Sequence, residues 1–388
     1  MREGWEYKKL GQVCTSDLGK TLNKSKDRGE LHPYLCSINI LWDKIDLSTL
    51  KQACFEADEQ EKYTVRKGDL LVCEGGDTGR SAIWDRDETI LYQNALHRLR
   101  FHESVSPKFV LFYLMYLKDI GEIDNKYSKG VTIKHLVKKA LLSIPLPIPP
   151  KSTQLSIVSE LDKLNELIRI KKEQLKDYDT LAQSIFYEMF GDPVENEKGW
   201  EVKTFGEIGT LERGAGISKK DFVDDGLPCI HYGQLHTIFG AYTRKPITFI
   251  PKDLLPKYKI AHSGDLILAI TSEDVEGSCK STAWLGNFDV VVGSDAAIFH
   301  HNQNGIYLSY YTRTKAFYNE KAKYAKGFKV THISTKEIAS ISICIPPISI
   351  QNTFANKIKQ IEKQKAIIQK IIMDLETLLA SRMQYWFD

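Results

Sequence analysis

The chain repeats one order of short motifs, and this internal duplication limits its fold more than any other feature of the sequence. Three pairs of motifs carry the duplication: Gly4-Trp5-Glu6 and Gly199-Trp200-Glu201, Tyr127-Ser-Lys-Gly130 with His135 and Tyr324-Ala-Lys-Gly327 with His332, and Pro149-Pro150 with Gln154 and Pro346-Pro347 with Gln351. The last two pairs share one offset of 197 residues. Two copies of a globular unit followed by a long helix predict approximate two-fold symmetry, which suits a target with two halves such as duplex DNA.

The composition fits two ordinary globular domains. The chain has 388 residues, of which 42% are hydrophobic and 27% charged, as in folded water-soluble proteins. The net charge of +3 identifies no class of partner. The 7 cysteines include no Cys-x-x-Cys pair, which is typical of free thiols rather than of a zinc ribbon or a disulfide scaffold. Because the longest apolar run, 109–117, is too short to span a bilayer and no apolar signal region begins the chain, we expect a cytoplasmic protein.

Two long amphipathic segments follow the repeated proline motifs. In both, apolar residues recur in alternating steps of four and three, the heptad spacing of a coiled coil. The seam positions that define this pattern are Leu161, Leu164, Ile168 and Leu175 in the central segment and Ile358, Ile361, Ile368 and Ile372 in the C-terminal one. A glycine and a proline, Gly191 and Pro193, end the first segment. Roughly 40 residues at about 1.5 Å each make a rod near 60 Å.

An exposed seam of that length needs a partner, and the other helix supplies one. We therefore predict an antiparallel coiled coil; two surface helices that each cover their own domain are the alternative. Lys171, Lys365 and Arg382 interrupt the apolar pattern, so these residues either fix the register or meet a partner. Other apolar residues widen the stripe beyond the need of two helices, which suggests a docking surface for a partner protein: Leu167, Ile170, Leu181, Phe186, Ile367, Ile371 and Leu378.

The duplication divides the chain into four segments. Residues 1–150 and 193–347 are predicted as two similar mixed α/β domains, and residues 151–192 and 348–388 as the two long helices, so the fold class is α+β. A glycine–aspartate turn before an apolar run occurs in each domain and predicts a tight turn that leads into a buried strand. The sequence of residues 20–62 has no convincing counterpart in residues 215–260. The motifs that surround these middle segments therefore repeat, while the sequences of the middle segments diverge.

Lysine-rich stretches precede both helical segments at equivalent places. Residues 126–139 contain five lysines and no acid, and residues 313–336 contain seven lysines or arginines against one acid. Interleaved Tyr, Gly, Thr and His suit contacts to phosphates and base edges, whereas a solvated basic face is the alternative. The glycine-rich loop 75–80 carries Arg80, and Lys280 takes the corresponding place in the second domain. That loop lacks the ending of a phosphate-binding P-loop, and a plain β-turn explains it equally well.

The sequence contains none of the common catalytic motifs. Zinc-protease, serine-hydrolase, dinucleotide-binding and adenine-methylation patterns are all missing, and no His, Cys or Asp spacing suggests a metal site. We therefore expect a protein that is not an enzyme and holds no metal. Two rival functions remain on the residues alone: a tandem scaffold protein whose coiled coil assembles other proteins, and a nuclease with an unrecognised site.

The duplicated order of motifs resembles the specificity subunit of type I restriction-modification systems over essentially the whole chain. The resemblance implies that the two domains are target recognition domains and that the helices are conserved spacer regions paired antiparallel. It implies a bipartite site on double-stranded DNA, with one half for each domain. It also implies two methyltransferase subunits as partners, and restriction subunits in the full complex.

The resemblance places no cofactor on this chain, because S-adenosylmethionine and ATP belong to the partner subunits. It also implies that a recurrent loop before each helix contacts the DNA backbone. The candidate DNA-binding residues in and beside these loops are Arg80, Lys129, Gly130, Thr132, Lys134 and His135 in the first domain and Lys280, Lys326, Gly327, Lys329 and His332 in the second. The residues that read bases are expected in the divergent middles.

Overall fold

The computed structural model describes residues 3–23, 27–130, 134–217, 219–252, 258–325 and 330–388. These residues form two compact units. Unit 1 consists of Met1–Lys172 and Lys370–Asp388, and unit 2 consists of Glu173–Gln369. Each unit therefore combines one globular domain with half of each long helix, so its chain comes from two distant parts of the sequence.

The first domain alternates short strands with short helices. Its elements in chain order are β1 (Glu6–Lys9), β2 (Cys14–Leu18), β3 (Glu30–Leu35), β4 (Ile40–Leu41), β5 (Lys44–Ile45), β6 (Lys51–Phe55), α1 (Ala57–Lys62), β7 (Thr64–Val65), β8 (Leu70–Cys73), β9 (Ser81–Ile83), β10 (Ile90–Tyr92), β11 (Leu96–Phe101), α2 (Pro107–Asp119), a π-helical turn (Ile123–Tyr127), α3 (Lys138–Leu142), β12 (Pro145–Ile148) and the long helix α4 (Lys151–Phe190).

The second domain repeats this plan with more strands. Its elements are β13 (Glu201–Thr204), α5 (Phe205–Ile208), β14 (Gly209–Arg213), β15 (Leu227–Ile230), α6 (Tyr232–Thr237), β16 (Tyr242–Thr243), β17 (Thr248–Ile250), β18 (Lys259–Ala261), β19 (Leu266–Ala269), β20 (Thr271–Ser272), β21 (Ser281–Trp284), β22 (Val290–Val292), β23 (Ala296–His301), α7 (Gly305–Tyr311), α8 (Lys315–Ala322), β24 (Thr331–His332), α9 (Thr335–Ala339), β25 (Ser342–Ile345) and the long helix α10 (Ile348–Phe387).

Corresponding sheets have the same strand order in the two domains. Among the described residues, one sheet runs β2-β11-β8-β9 in the first domain and β14-β23-β19-β21-β16 in the second. The other runs β6-β3-β10-β7 and β17-β15-β22-β18, with the β3–β10 and β15–β22 pairs both parallel. The divergent middles therefore do have a structural counterpart in each other. Their sequences nonetheless diverge, because many side-chain sequences satisfy the same backbone pairing.

The repeated motifs at the two ends of each domain pair with one another. The strand after Gly4-Trp5 is antiparallel to the strand before Pro149-Pro150, with Glu6 opposite Ile148. The second copy places Glu201 opposite Ile345 in the same way. Each domain is closed by this two-stranded ladder just before its long helix begins, which explains why both motifs recur together.

The predicted glycine turn leads into a fully buried strand in both copies, β8 and β19. Its glycines have φ of +91° and +107°, a left-handed conformation that favours glycine. The aspartate that follows is held by the neighbouring strand. Asp69 accepts two hydrogen bonds from Arg100, at 2.7 and 2.6 Å, while Asp265 pairs with His300 Nδ1 at 2.8 Å. The aspartate recurs in both domains, and its partner is Arg100 in the first domain and His300 in the second.

A buried glutamine fixes the start of each long helix to its own domain. Gln154 Oε1 accepts a hydrogen bond from the backbone N–H of Ser106 at 2.8 Å, beside the first turn of α2. Gln351 Oε1 accepts one from the backbone N–H of Asn304 at 2.9 Å, beside α7. Both side-chain amides also donate to the carbonyl of the proline five residues before them. The glutamine of the repeated Pro-Pro motif therefore sets the direction in which each helix leaves its domain.

In unit 1 the two long helices run antiparallel. Glu160 accepts hydrogen bonds from Arg382 and from Trp386 Nε1, the latter at 3.0 Å. Twelve residues further along α4, Lys172 Nζ lies 2.7 Å from a carboxylate oxygen of Glu376. Because the partner number falls as the α4 number rises, the helices point in opposite directions.

Unit 2 shows the same pairing with different side chains. Lys365 Nζ lies 2.7 Å from Asp179 Oδ1, and the ring of Phe354 lies 5.6 Å from that of Phe186 and 5.3 Å from that of Phe190, between centroids. The predicted antiparallel pairing of the helices is thus confirmed. Lys365 and Arg382, which interrupt the apolar seam, both form ion pairs between the helices and so help to fix the register.

The seam positions lie on the inward side of the helices. Leu161, Ile168, Ile358, Ile361, Ile368 and Ile372 are buried, and Leu164 and Leu175 are half-buried. Of the wider apolar stripe, five residues are exposed: Leu167, Ile170, Leu181, Ile367 and Leu378. Phe186 instead lies in the core of unit 2, and Ile371 is half-buried.

Each domain core is completed by the last turn of a helix that starts from the other repeat. In unit 1 the ring of Phe387, at the end of α10, lies 5.5 Å from both Phe109 and Tyr113 of α2. In unit 2 the ring of Phe190, at the end of α4, lies 4.8 Å from Tyr307 of α7. Phe190 and Phe387 are the same position in the two repeats. Both domains therefore depend on the paired helices for their own stability.

Replacing either ring by alanine is expected to loosen one domain selectively. Phe387→Ala should remove roughly 3–5 kcal/mol of core packing from unit 1 and lower hydrogen-exchange protection in α2 more than in α7. Phe190→Ala is the matched variant and should do the reverse. Hydrogen exchange of both variants, measured by mass spectrometry, tests this expectation. Loss of protection in the same helix for both variants would contradict the packing of each helix end in the domain of the other repeat.

Candidate nucleic-acid interface

The recurrent loop of the first domain is closed at its base by two backbone hydrogen bonds. The Lys129 N–H donates to the His135 carbonyl at 2.9 Å, and the His135 N–H donates to the Lys129 carbonyl at 2.8 Å. Gly130 has φ of +121°, which disfavours any side chain there. Lys129 and His135 are exposed and Lys134 is half-buried. Thr132 lies outside the described residues.

This loop joins the glycine-rich turn to form one surface. Gly75 and His135 form an antiparallel bridge, and the hydroxyl of Ser128 donates to Thr78 Oγ1 at 3.0 Å. Below them, the buried imidazole of His97 lies 2.8 Å from the Leu136 carbonyl through Nε2. Because a carbonyl oxygen can only accept, Nε2 of His97 donates this hydrogen bond; burial lowers the pKa of the ring. The sequence suggested both loops separately but not that they are adjacent.

The second domain places the corresponding segments side by side. Strands β20 and β24 pair antiparallel, with Thr271 opposite His332. Thr271 Oγ1 lies 3.3 Å from His332 Nδ1, and the His332 side chain is exposed. The next backbone N–H, of Ile333, donates to the Ile270 carbonyl at 3.1 Å. The predicted contacts Lys326, Gly327 and Lys329 lie outside the described residues.

A lysine from a neighbouring helix holds the glycine-rich turn in each domain. In the first, Lys118 Nζ donates to the Thr78 carbonyl at 3.1 Å and lies 2.8 Å from Asp77 Oδ1. In the second, Lys321 Nζ donates to the carbonyls of Ser278 and Glu276 at 2.6 and 3.0 Å. Burial lowers the pKa of Lys321.

Sequence reasoning missed these two lysines, because neither shares a local motif with the turn that it holds. Lys118 lies at the end of a largely apolar helix, and Lys321 lies within a basic stretch that reads as a solvated face. Both nonetheless fix backbone that borders the candidate interface, at Thr78 in the first domain and at Glu276 and Ser278 in the second.

The two cations predicted beside these turns have different surroundings. Arg80 is half-buried, and its Nη2 donates to the Ser37 carbonyl at 2.9 Å. Lys280 is exposed, and among the described residues no ion pair engages its ammonium group. Arg80 therefore stabilises the domain, whereas Lys280 is available to a phosphate.

Other classes of site have little support in the described part of the chain. Within those residues no group of three or more His, Cys, Asp or Glu side chains is arranged to hold a metal ion. None of the described helices combines the length and apolarity that a membrane span requires.

Comparison with known proteins identifies the family whose model matches this chain. The family model described as the type I restriction modification DNA specificity domain matches residues 2–177 and again residues 197–377. The chain is 23% identical to the type I restriction enzyme MjaVIII specificity subunit of Methanocaldococcus jannaschii, over 97% of this chain and 92% of that protein.

Two solved structures are similar in fold. One belongs to work on complex assembly and conformational transition of the type I R-M system; it has a TM-score of 0.63 and 17% identity, and the match covers 100% of this chain and 98% of that one. The S subunit of a type I restriction-modification system from M. genitalium has a TM-score of 0.54 and 13% identity, with 99% and 96% covered. The predicted fold class, with two similar α+β domains and a pair of long helices, is thereby confirmed.

The different surroundings of Lys280 and Arg80 give opposite expectations for two charge-removing variants. Lys280→Gln should leave the melting temperature unchanged and lower the dependence of DNA affinity on log salt by about one unit. Arg80→Gln should destabilise the domain by roughly 1–3 kcal/mol, because the Ser37 carbonyl loses its donor. Thermal melts and fluorescence anisotropy on duplex DNA, with methyltransferase subunits added, measure both. An unchanged salt slope for Lys280→Gln would remove it from the interface.

Proposed function

The chain belongs to the type I restriction-modification DNA specificity domain family as a specificity subunit with two copies of that domain, and we propose that each domain reads one half of a bipartite DNA site. As a specificity subunit it directs a restriction-modification enzyme and does not itself catalyse a reaction. The observation that carries the proposal is the duplicated surface. Both domains present an exposed histidine, His135 and His332, on a segment paired to the residues just before a turn that a lysine holds in place.

The shared parts of the two surfaces suit contacts to the sugar–phosphate backbone. Such contacts position a protein on a duplex without reading its sequence, and basic side chains and backbone N–H groups supply most of them. Lys129 and Lys280 are exposed cations at these surfaces. A frame that positions both domains alike, with different side chains beside it, supports recognition of two unlike half-sites.

The paired helices are proposed to set the distance between the two halves of the site. Each of α4 and α10 is a continuous helix of 40 residues, which at about 1.5 Å per residue is near 60 Å long. One turn of DNA is about 34 Å, so a rod of this length is comparable with one to two turns. Ion pairs hold the antiparallel register in both units, as a spacer of fixed length requires.

Matched apolar residues on the outside of the helices support two equivalent docking sites for methyltransferase subunits. Ile170 and Ile367 occupy the same position in the two repeats, and so do Leu181 and Leu378. Their side chains are 43%, 53%, 45% and 46% exposed. Unit 1 carries Ile170 and Leu378, close to the Lys172–Glu376 ion pair, and unit 2 carries Leu181 and Ile367. Large apolar side chains left in water at equivalent points suit a partner that binds twice.

The chemistry of the complex belongs to the partners in this proposal. The methyltransferase subunits would bring S-adenosylmethionine, and restriction subunits would bring ATP in the full complex. This chain would supply recognition and spacing.

Lengthening the helices tests the proposed spacing directly. One heptad inserted after Lys172 and one after Gln369, equivalent points in the repeat, should extend the helix pair by about 10 Å. The gap between the two halves of the methylated site should then grow by about three base pairs at ~3.4 Å each. Sequencing of methylated bases in a host that carries the chain with its methyltransferase gives the gap. The control replaces existing heptads at these two points by different heptads of equal length. An unchanged gap after insertion would refute the spacer role.

Charged substitutions on the matched apolar residues test the docking sites. Leu378→Glu or Leu181→Glu alone should leave one methyltransferase subunit bound, and the double variant should leave none, because a buried unpaired carboxylate opposes the contact. Native mass spectrometry of the assembled complex counts the subunits. Thr377→Glu, an exposed neighbour that adds the same charge, should retain both. Two subunits on the double variant would place the docking surface elsewhere.

A further inference from the structure

A short turn next to the recurrent loop has the same backbone place in both domains and different chemistry. It joins β10 to β11 in the first domain as Gln93-Asn94-Ala95, and β22 to β23 in the second as Gly293-Ser294-Asp295. In both copies the residue before the turn ends a strand of the sheet that was kept while its sequence diverged. The backbone of this turn therefore has the same place in both domains, while its side chains differ between them.

Backbone hydrogen bonds connect this turn to the histidine-bearing segment through one intervening residue. In the first domain the Glu74 N–H donates to the Ala95 carbonyl at 2.9 Å, and the Leu136 N–H donates to the Glu74 carbonyl at 2.7 Å. The second domain repeats this row with Asp295, Ile270 and Ile333, at 3.0 and 3.1 Å. We call these rows the reading rims: residues 93–95, 74–75 and 135–136 in the first domain, and residues 293–295, 270–271 and 332–333 in the second.

The rim of the first domain carries side-chain amides. Asn94 Nδ2 donates to Thr21 Oγ1 at 3.2 Å, and Gln93 Nε2 donates to Asn94 Oδ1 at 3.4 Å. Both side chains are half-buried, so they are oriented rather than freely rotating. Each amide keeps further donor or acceptor capacity beyond these contacts.

The reading rim of the second domain carries an aspartate and an arginine whose side chains lie next to each other. Asp295 Oδ1 lies 3.3 Å from Thr271 Oγ1 and 3.9 Å from Arg213 Nη2. Arg213 Nε donates to the Ser294 carbonyl at 2.8 Å, which fixes the guanidinium beside the turn. The side chains of Arg213 and Asp295 remain 57% and 41% exposed. At the equivalent places the first domain has Leu18 and Ala95, so this pair exists in one copy alone.

We infer that the reading rims are the base-reading edges of the two domains, with Gln93 and Asn94 on an A·T pair and Arg213 and Asp295 on a G·C pair. This inference rests on the proposed function. In the major groove the amide of Asn or Gln matches N6 and N7 of adenine, Arg matches O6 and N7 of guanine, and a carboxylate accepts from N4 of cytosine. Adjacent Arg and Asp side chains thus match the two bases of one pair.

The contrast between residues that recur in both domains and residues that differ between them supports this assignment. The exposed histidine and the lysine-held turn recur in both domains, so they suit the backbone contacts that every duplex offers. The turn side chains are the part of the rim that differs between the copies. Side chains that discriminate between half-sites must differ where the half-sites differ. The turn that carries these side chains is two backbone hydrogen bonds away from the histidine-bearing segment.

Three variants test the assignment in the complex of the full chain with its methyltransferase subunits. Arg213→Gln and Asp295→Asn should each relax discrimination about ten- to hundredfold at one G·C pair in one half of the site. Asn94→Asp should alter one pair in the other half. Asp289→Asn is the control, since its exposed carboxylate lies at the opposite end of β22 and pairs with His262; it should leave the site unchanged.

Two measurements separate the outcomes. Sequencing of methylated bases in the host gives the recognised site of each variant, and competition binding on duplexes with each base pair changed in turn gives the discrimination even if methylation is slow. A change confined to one pair of the expected half supports the inference. Wild-type discrimination at every pair for Arg213→Gln, in a variant whose melting temperature is that of the wild type, overturns the inference while the bipartite site stands. A wild-type complex without a two-part site would instead refute the proposed function.

Discussion

The structure depends on an exchange of helix ends between two repeats. An isolated domain with its own helix would lack the aromatic residue that fills its core, since Phe387 packs in unit 1 and Phe190 in unit 2. Buried aromatic rings contribute several kcal/mol each, comparable with the whole stability of a small domain. The antiparallel pairing of the helices is therefore part of the folding of each domain. A change of register in one helix alone would therefore disturb the packing of both cores.

The larger features of this fold could be predicted from the sequence because they follow from periodicity and repetition. The heptad seam predicts paired helices, and the matched offset predicts that the copies are alike. The counterpart of the divergent middle could not be predicted, because strands are specified by burial on a pleated surface, and many sequences satisfy the same pairing. β3 and β15 each pair in parallel with a neighbouring strand, β10 and β22, but their sequences share no recognisable motif.

The candidate site was only partly predictable, for a related reason. The loops with His135 and His332 stand out as repeated basic segments, but their partners come from distant parts of the chain. Lys321 lies 43 residues from the carbonyl of Ser278 to which it donates, and no local pattern marks that contact. Arg80, predicted as a phosphate contact, donates one hydrogen bond to the Ser37 carbonyl of its own domain, and its role toward DNA stays a prediction. How far the protein itself engages each cation depends on contacts between distant parts of the chain, which no local pattern in the sequence marks.

Under the proposed function, two domains with the same backbone plan and different side chains at the reading rims would read two half-sites at a set distance. The most direct test of that claim is a hydroxyl-radical footprint of the chain with its methyltransferase subunits on the host's own methylated site. The account predicts two protected stretches separated by an accessible gap, with Lys280→Gln weakening protection in one stretch alone. A single continuous protected stretch that weakens throughout in that variant would contradict it.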